Sequence, residues 1–259
     1  MIVDFSRFPT NKPVESELFH LRGVKFKERL ASLEFGEVQH SLISIFDPQI
    51  VFHRQQAAEI YELSQGSEYS FAYMPEFNGA GEEQIERAAN LNFKAIIFHP
   101  YLQNIGHRNF CELKSLAKTA SDLGMLVCVC AAFGSSRIHK LFPLEAVTAV
   151  CEVVKTPVVI IHGGGARVLE AFLIAEAFQN VFLDTSFSLH YWWGSSVESD
   201  FAFALNRLGS ERFIFGSDAP FRPLVETLDL HYKFAQKYGF NKTDLKNLMG
   251  MTAANLLSL

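Results

Sequence analysis

Eight short runs rich in β-branched and aromatic residues alternate with eight longer amphipathic runs. The whole pattern fits within 259 residues, and most of the short runs are nearly continuous in apolar residues. These three observations predict an α/β protein: a (β/α)8 TIM barrel with short extra C-terminal helices, forming one domain over residues 1–259. Such apolar runs are what parallel strands covered on both faces require. The competing architecture, an open doubly wound sheet, places a glycine-rich turn after its first strand. The first strand here runs into Arg7, Pro9 and Pro13 instead.

The expected strands are 2–8 (IVDFSRF), 38–46 (VQHSLISIF), 69–74 (YSFAYM), 93–99 (FKAIIFH), 125–131 (MLVCVCA), 157–162 (PVVIIH), 180–186 (NVFLDTS) and 212–217 (RFIFGS). Helical periodicity fills the intervals at 22–35, 54–65, 80–91, 108–123, 143–154, 166–178, 197–208 and 222–238. Glu82, Glu83 and Glu86 come early in 80–91, where carboxylates suit the positive end of a helix dipole. Gly124 stands between a helix and a strand, as a C-terminal cap does. The tail, 241–257, reads as two short helices.

Hydrophobic residues make up 49% and charged residues 20%, which excludes disorder. The 25 phenylalanines point to a large, well-filled interior. A net charge of −5 argues against a protein that tracks phosphate backbones, so no nucleic-acid partner is expected. The four cysteines (111, 128, 130 and 151) form no CxxC pair and read as reduced thiols. Asp4 and Arg7 interrupt the apolar stretch a signal peptide needs, and no run approaches the ~18 apolar residues of a membrane span. A cytoplasmic protein with a small-molecule substrate and no membrane partner is the expectation.

In a barrel of this kind the reactive groups gather at the C-terminal ends of several strands. Those ends carry Asp4-Phe5-Ser6-Arg7, His99-Pro100-Tyr101, Cys130, His162 followed by three glycines, Asp184-Thr185-Ser186, and Ser217-Asp218. Asp218 is either a base with an elevated pKa or a helix cap. His162 is a neutral imidazole that polarises a carbonyl or protonates a leaving group, or else a buried packing histidine. The glycines after it could hold a phosphate or carboxylate at a helix start. Arg7 either pairs with Asp4 or clamps a substrate carboxylate. His99 and Tyr101 sit on the side of the mouth, and Cys130 is a small hydrophobe before it is a nucleophile. The aromatic run Ser188–Trp193, with Trp192 at its centre, is a pocket wall or a homodimer contact.

VVIIHGGG (158–165), NVFLDTS (180–186), FIFGSDAPF (213–221) and KAIIFHP (94–100) resemble the sixth, seventh, eighth and fourth strands of the amidohydrolase superfamily, most closely its amidohydrolase 2 branch of TIM-barrel metal-dependent hydrolases. The closing MGMTAANLLSL is similar to that branch's last helix, with Asn255 near its usual asparagine. Motif order and spacing agree over roughly residues 90–257; the first third matches only in its pattern of elements.

The departures concern the metal. The family's first strand ends in His-x-His, and this chain has Asp4-Phe5-Ser6 there; the fifth-strand histidine corresponds to Cys130 and the bridging lysine to Ile97. Asp4, Ser6, Cys130 and Asp218 make a poor zinc cage. A harder Mg²⁺ or Mn²⁺ could use Asp4 and Asp218. No cofactor is the favoured expectation, with a divalent Zn, Mn or Mg as the alternative. The metal-free pyrone-dicarboxylate lactonases resemble this family, and the analogy makes Asp218 the base that activates water. The resemblance thus implies a hydrolase acting on a small carboxylated lactone, ester or amide. Asp218 and His162 would be catalytic, and Arg7, His99, Tyr101, Cys130 and Trp192 would bind substrate. A decarboxylase of the same branch, a non-catalytic barrel that kept a pocket, and a sugar-phosphate enzyme are the alternatives.

Overall fold

Parallel strands bury both faces only if every second residue serves the barrel interior and the others serve a surrounding helical layer. The computed structural model, which describes residues 1–14, 16–77, 79–132 and 141–259, follows that rule. Eight parallel strands run in sequence order around the sheet: β1 (Val3–Arg7), β2 (His40–Ile45), β3 (Tyr69–Tyr73), β4 (Ala95–Phe98), β5 (Leu126–Cys130), β6 (Val158–Ile161), β7 (Val181–Asp184) and β8 (Phe213–Ile214). Beyond β8 the chain closes the ring on β1. Phe5 N–H donates to the Phe215 carbonyl at 3.0 Å, and Asp218 N–H donates to the Ser6 carbonyl at 2.7 Å.

The main helix after each strand is α1 (Phe26–Ala31), α2 (Arg54–Leu63), α3 (Gly81–Asn90), α4 (Phe110–Asp122), α5 (Pro143–Cys151), α6 (Val168–Ala177), α7 (Ser196–Leu208) and α8 (Leu224–Lys237), with single-turn helices also at Ser16–Phe19, Pro100–Gln103 and Ser188–Tyr191. Gly124 takes φ +75° just past α4, the left-handed cap expected of it. Ile43, Phe71, Phe98, Val127, Ile160 and Leu183 pack outward against the helices. Leu42, Ala72, Ala95, Cys128, Val159 and Ile214 fill the interior. The expected tail is two short helices, Lys242–Lys246 and Thr252–Leu257, joined by a π turn. Ala253, Ala254 and Leu257 join the interior cluster and close the barrel floor. All four cysteines are free. Among the described residues no helix is long and apolar enough to cross a membrane.

Most elements are shorter than the sequence predicts, two of them by the widest margin. The helix expected over 22–35 spans Phe26–Ala31, and the strand expected over 212–217 spans Phe213–Ile214. The second change has a clear cause. Phe215 N–H turns to the carbonyl of Leu248 in the tail while its own carbonyl serves β1. The register between β1 and β2 also shifts between Asp4 and Arg7, a bulge of the kind that re-aims side chains.

Candidate active site

At the C-terminal end of the barrel, Ser6, Ser44, His99, Cys130, His162 and Asp218 share a pocket with Phe8, Phe46, Ile97 and Ile161. Its volume is about 30 Å³, room for a water or two or for the reacting end of a substrate. His99 packs edge-on against Phe46 and Tyr101 at 5.8 and 5.9 Å. Its Nδ1 accepts from Leu102 N–H, fixing the ring over the mouth.

His162 ends β6 with φ +64°, an uncommon conformation for a residue with a side chain. Asp184 holds it there by accepting the His162 backbone N–H at 3.0 Å. The ring Nδ1 lies 3.0 Å from the Ser186 carbonyl and 2.9 Å from its hydroxyl, which itself donates to Asp184. A carbonyl can only accept, so this contact assigns the proton to Nδ1. Nε2 is left with a lone pair and, among the described residues, no partner. Burial pushes the ring's pKa down to about 4, so the imidazole is neutral.

Asp218 also has positive φ, at +60°, one of the residue types that tolerates it best. Its carboxyl accepts no hydrogen bond from the described residues. Burial first, and then the charge of Asp184, raise its pKa well above the ordinary carboxylate value against the pull of Arg222. Burial likewise lifts Asp184 to about 7. Asp184 Oδ1 accepts from His162 and Ser186, whereas its Oδ2 is buried without a partner and lies against Gly216.

The other expected site residues divide between the pocket and its surroundings. Arg7 pairs in register with Ile43, on the outward face. Its Nη2 donates to the Glu34 carbonyl at 2.5 Å, and the guanidinium lies 4.4 Å from the Phe35 ring centroid. Asp4, in register with Ser41, also faces outward. Both its oxygens accept from Ser217, at 2.8 and 2.6 Å, and Arg7 stands 3.7 Å away. The expected Asp4–Arg7 pairing therefore forms outside the pocket, and the substrate clamp by Arg7 is corrected: the β1 bulge turns Ser6 inward and Arg7 out. Tyr101 packs behind the wall with Cys130 and Leu141. Trp192 packs against the helical layer and edge-on to Tyr191. Burial drives the Cys130 pKa far above the thiol norm, so it lines the pocket as a neutral thiol. Gly163 and Gly164 permit close packing behind the pocket. A Cβ on Gly163 would meet Phe201 at 2.7 Å, and one on Gly164 would meet Ala171 at 2.9 Å.

Two features escaped the sequence reading. Phe187, at φ +55°, packs its ring on His162 at 5.6 Å. Arg222, within the PFRP that follows Asp218, lies over Phe187 with its guanidinium 4.9 Å from the ring centroid. The signal was a lone cation set between two prolines immediately after the strand-eight motif.

The Amidohydro_2 family model, described as amidohydrolase, matches residues 18–259. The chain belongs to this amidohydrolase family. No curated protein matches it. Among solved structures it is similar to an uncharacterized TIM-barrel protein from Bordetella bronchiseptica, at 15% identity and TM-score 0.72, covering 99% of this chain and 98% of that one. A Pseudomonas putida structure with the provisional name 2-pyrone-4,6-dicarboxylic acid hydrolase aligns at 15% identity and TM-score 0.65, over 99% and 97% of the two chains. A dihydroxybenzoic acid decarboxylase from Polaromonas sp., described with bound manganese, aligns at 13% identity and TM-score 0.59, over 100% and 97%. At these identities the likeness is one of fold.

The Polaromonas neighbour is described with bound manganese, and the donor set here does not fit a divalent metal. The expected pair Asp4 and Asp218 does not converge, because Asp4 faces outward with both oxygens bonded. Ser6 and Cys130 offer a neutral hydroxyl and a neutral thiol at the remaining positions. Among the described residues no group of three or more His, Cys, Asp or Glu is placed to hold an ion.

Proposed function

We propose that this amidohydrolase-family protein hydrolyses a small carboxylated lactone, ester or amide, with Asp218 and His162 acting on one water molecule. The observation that carries the reading is the pair of open acceptors in one small pocket: the Asp218 carboxylate, and a His162 Nε2 whose ring is fixed through Nδ1. Burial drives their basicities apart, raising Asp218 and lowering His162. Asp218 is therefore the proton acceptor. With its proton on Nδ1, His162 accepts a hydrogen of the water and orients it, rather than polarising the carbonyl as the sequence suggested. As the water oxygen bonds to the carbonyl carbon, its proton passes to Asp218. The resulting Asp218 carboxylic acid then protonates the departing oxygen or nitrogen.

Decarboxylation is the second reading, favoured by the same raised pKa and by the name of the Polaromonas neighbour. There Asp218 would start as the acid and deliver its proton to the carbon that loses carbon dioxide. The two readings predict opposite pH limbs. Hydrolysis needs ionised Asp218, so its rate rises with pH through the elevated pKa; decarboxylation needs the acid, so its rate falls through the same range. A screen of lactones, esters, amides and aryl carboxylic acids, followed by kcat/KM against pH, separates them. In either case Asp218→Asn lowers kcat on the order of 10³-fold. An unchanged rate in that variant removes Asp218 from the chemistry.

A further inference from the structure

We infer that Arg222 is the residue that binds the carboxylate of the substrate, presenting its guanidinium from the Phe187–Tyr191 ring stack at the mouth beside Asp218. The inference rests on the catalytic reading of the pocket and adds the group that selects the substrate. Arg222 follows Asp218 closely, its backbone N–H reaching the Asp218 carbonyl at 3.3 Å. Its guanidinium lies 4.9 Å from the Phe187 centroid and 5.8 Å from that of Tyr191. Those two rings stack at 5.2 Å and 16°, and Phe187 reaches His162 in turn.

Arg222 has no direct ion-pair partner, although its charge reaches Asp218 through space. Its Nε is buried without a hydrogen-bond partner, and no described carboxylate pairs with it. Glu226, one helical turn on and well placed for such a pair, lies 3.7 Å from His190 instead. Arg212 shows what a structural arginine looks like in this fold: its three nitrogens donate to the carbonyls of Ala175, Phe178 and Val181 and to the Gln179 side chain. A partly desolvated guanidinium with idle donors is costly until an anion arrives. Its planar fork matches a carboxylate bidentately, and aromatic faces hold such a fork without consuming its donors. The described pocket wall contains no lysine or arginine, so the cation of this site stands at its mouth. The substrate chemistry that fits is a small molecule whose carboxylate rests on Arg222 while its reacting carbon enters the pocket.

The test uses benzoate and its neutral isostere benzamide, titrated by ligand-observed NMR against the intact protein. Wild type is expected to bind benzoate about tenfold tighter, the scale of a hydrogen bond to a charged group. Arg222→Met, which keeps the stem, is expected to erase the preference, and Arg222→Lys to restore part of it. Thermal melting and circular dichroism establish that each variant is folded; should Arg222→Met unfold, Arg222→Gln replaces it. Equal binding of the two probes by wild type, or a preference that survives in the folded Met or Gln variant, overturns the inference. Asp218→Asn divides this result from the reaction itself. Lost turnover in Asp218→Asn together with a preference independent of Arg222 refutes the arginine alone. Full turnover in Asp218→Asn with an Arg222-dependent preference refutes the chemistry and leaves the arginine standing.

Discussion

His162 and His231 are both buried, and burial pushes both pKa values down to about 4. Their surroundings differ in one respect. His231, within α8, donates from Nδ1 to the Thr227 carbonyl at 2.7 Å, and its Nε2 meets the Thr185 hydroxyl at 2.8 Å. Both nitrogens are engaged, and the Phe215 ring packs edge-on at 4.8 Å. His162 is anchored through Nδ1 alone and shows Nε2 to the pocket. A depressed pKa therefore marks burial in both cases and function in neither. The idle nitrogen is the mark that separates them, since a buried acceptor left open is rare unless something else is meant to fill it.

The sharpest way to break this contrast is to remove each ring in turn. His162→Asn keeps a residue type at ease with positive φ and is expected to lower kcat on the order of 10²- to 10⁴-fold, with little change in melting temperature. His231→Leu is expected to keep kcat within a few-fold and to cost about 1–3 kcal/mol, a fall in melting temperature of roughly 2–4 °C per kcal/mol. Steady-state kinetics and thermal melts on the two variants check the crossed pattern. Matching losses in both would dissolve the distinction.

A subtler test uses pH. His231 has its pKa lowered from 6.5 to about 4, so between those values the unfolded chain takes up a proton that the folded chain refuses. Its contribution to stability is complete above about pH 6.5 and fades as pH falls toward 4. Denaturant titrations of His231→Leu should therefore show a shallower rise of stability with pH over that window, by up to about 1.4 kcal/mol per pH unit. Arg222→Met sharpens the other side of the comparison. It removes a cation that holds the Asp218 pKa down, so the Asp218 limb of the pH–rate profile should move upward. The smallest expected effect belongs to Cys130. Held as a neutral thiol, it should resist iodoacetamide while exposed Cys111 reacts, and Cys130→Ala should change kcat less than about tenfold.

The barrel was legible in the sequence because apolar runs and glycine caps are local signals. The ends of α3, α6 and α7 fall within a residue or two of the periodic pattern. The pocket lining was legible where a strand end alone decides a residue's direction: His99, Cys130, His162 and Asp218 all line one pocket. It was not legible at β1. There the bulge breaks the alternation, and Asp4 and Arg7 face away from the pocket and pair with each other. Asp184 and Ser186 were read as structural, and their bonds to His162 make them so in a particular way: they fix which ring nitrogen is free. Arg222 escaped because a buried Nε without a hydrogen-bond partner is a fact of three dimensions.

Phe187 carries a consequence for selection. A bulky residue at φ +55° costs of order 1–3 kcal/mol that glycine would not incur. A library randomised at position 187 and sorted for heat resistance should drift toward glycine. The same library sorted for turnover should return aromatics, because the ring that strains the backbone is the one that rests on His162 and underlies Arg222. Two screens of one codon would then diverge, and their divergence would give the fitness value of a single strained torsion.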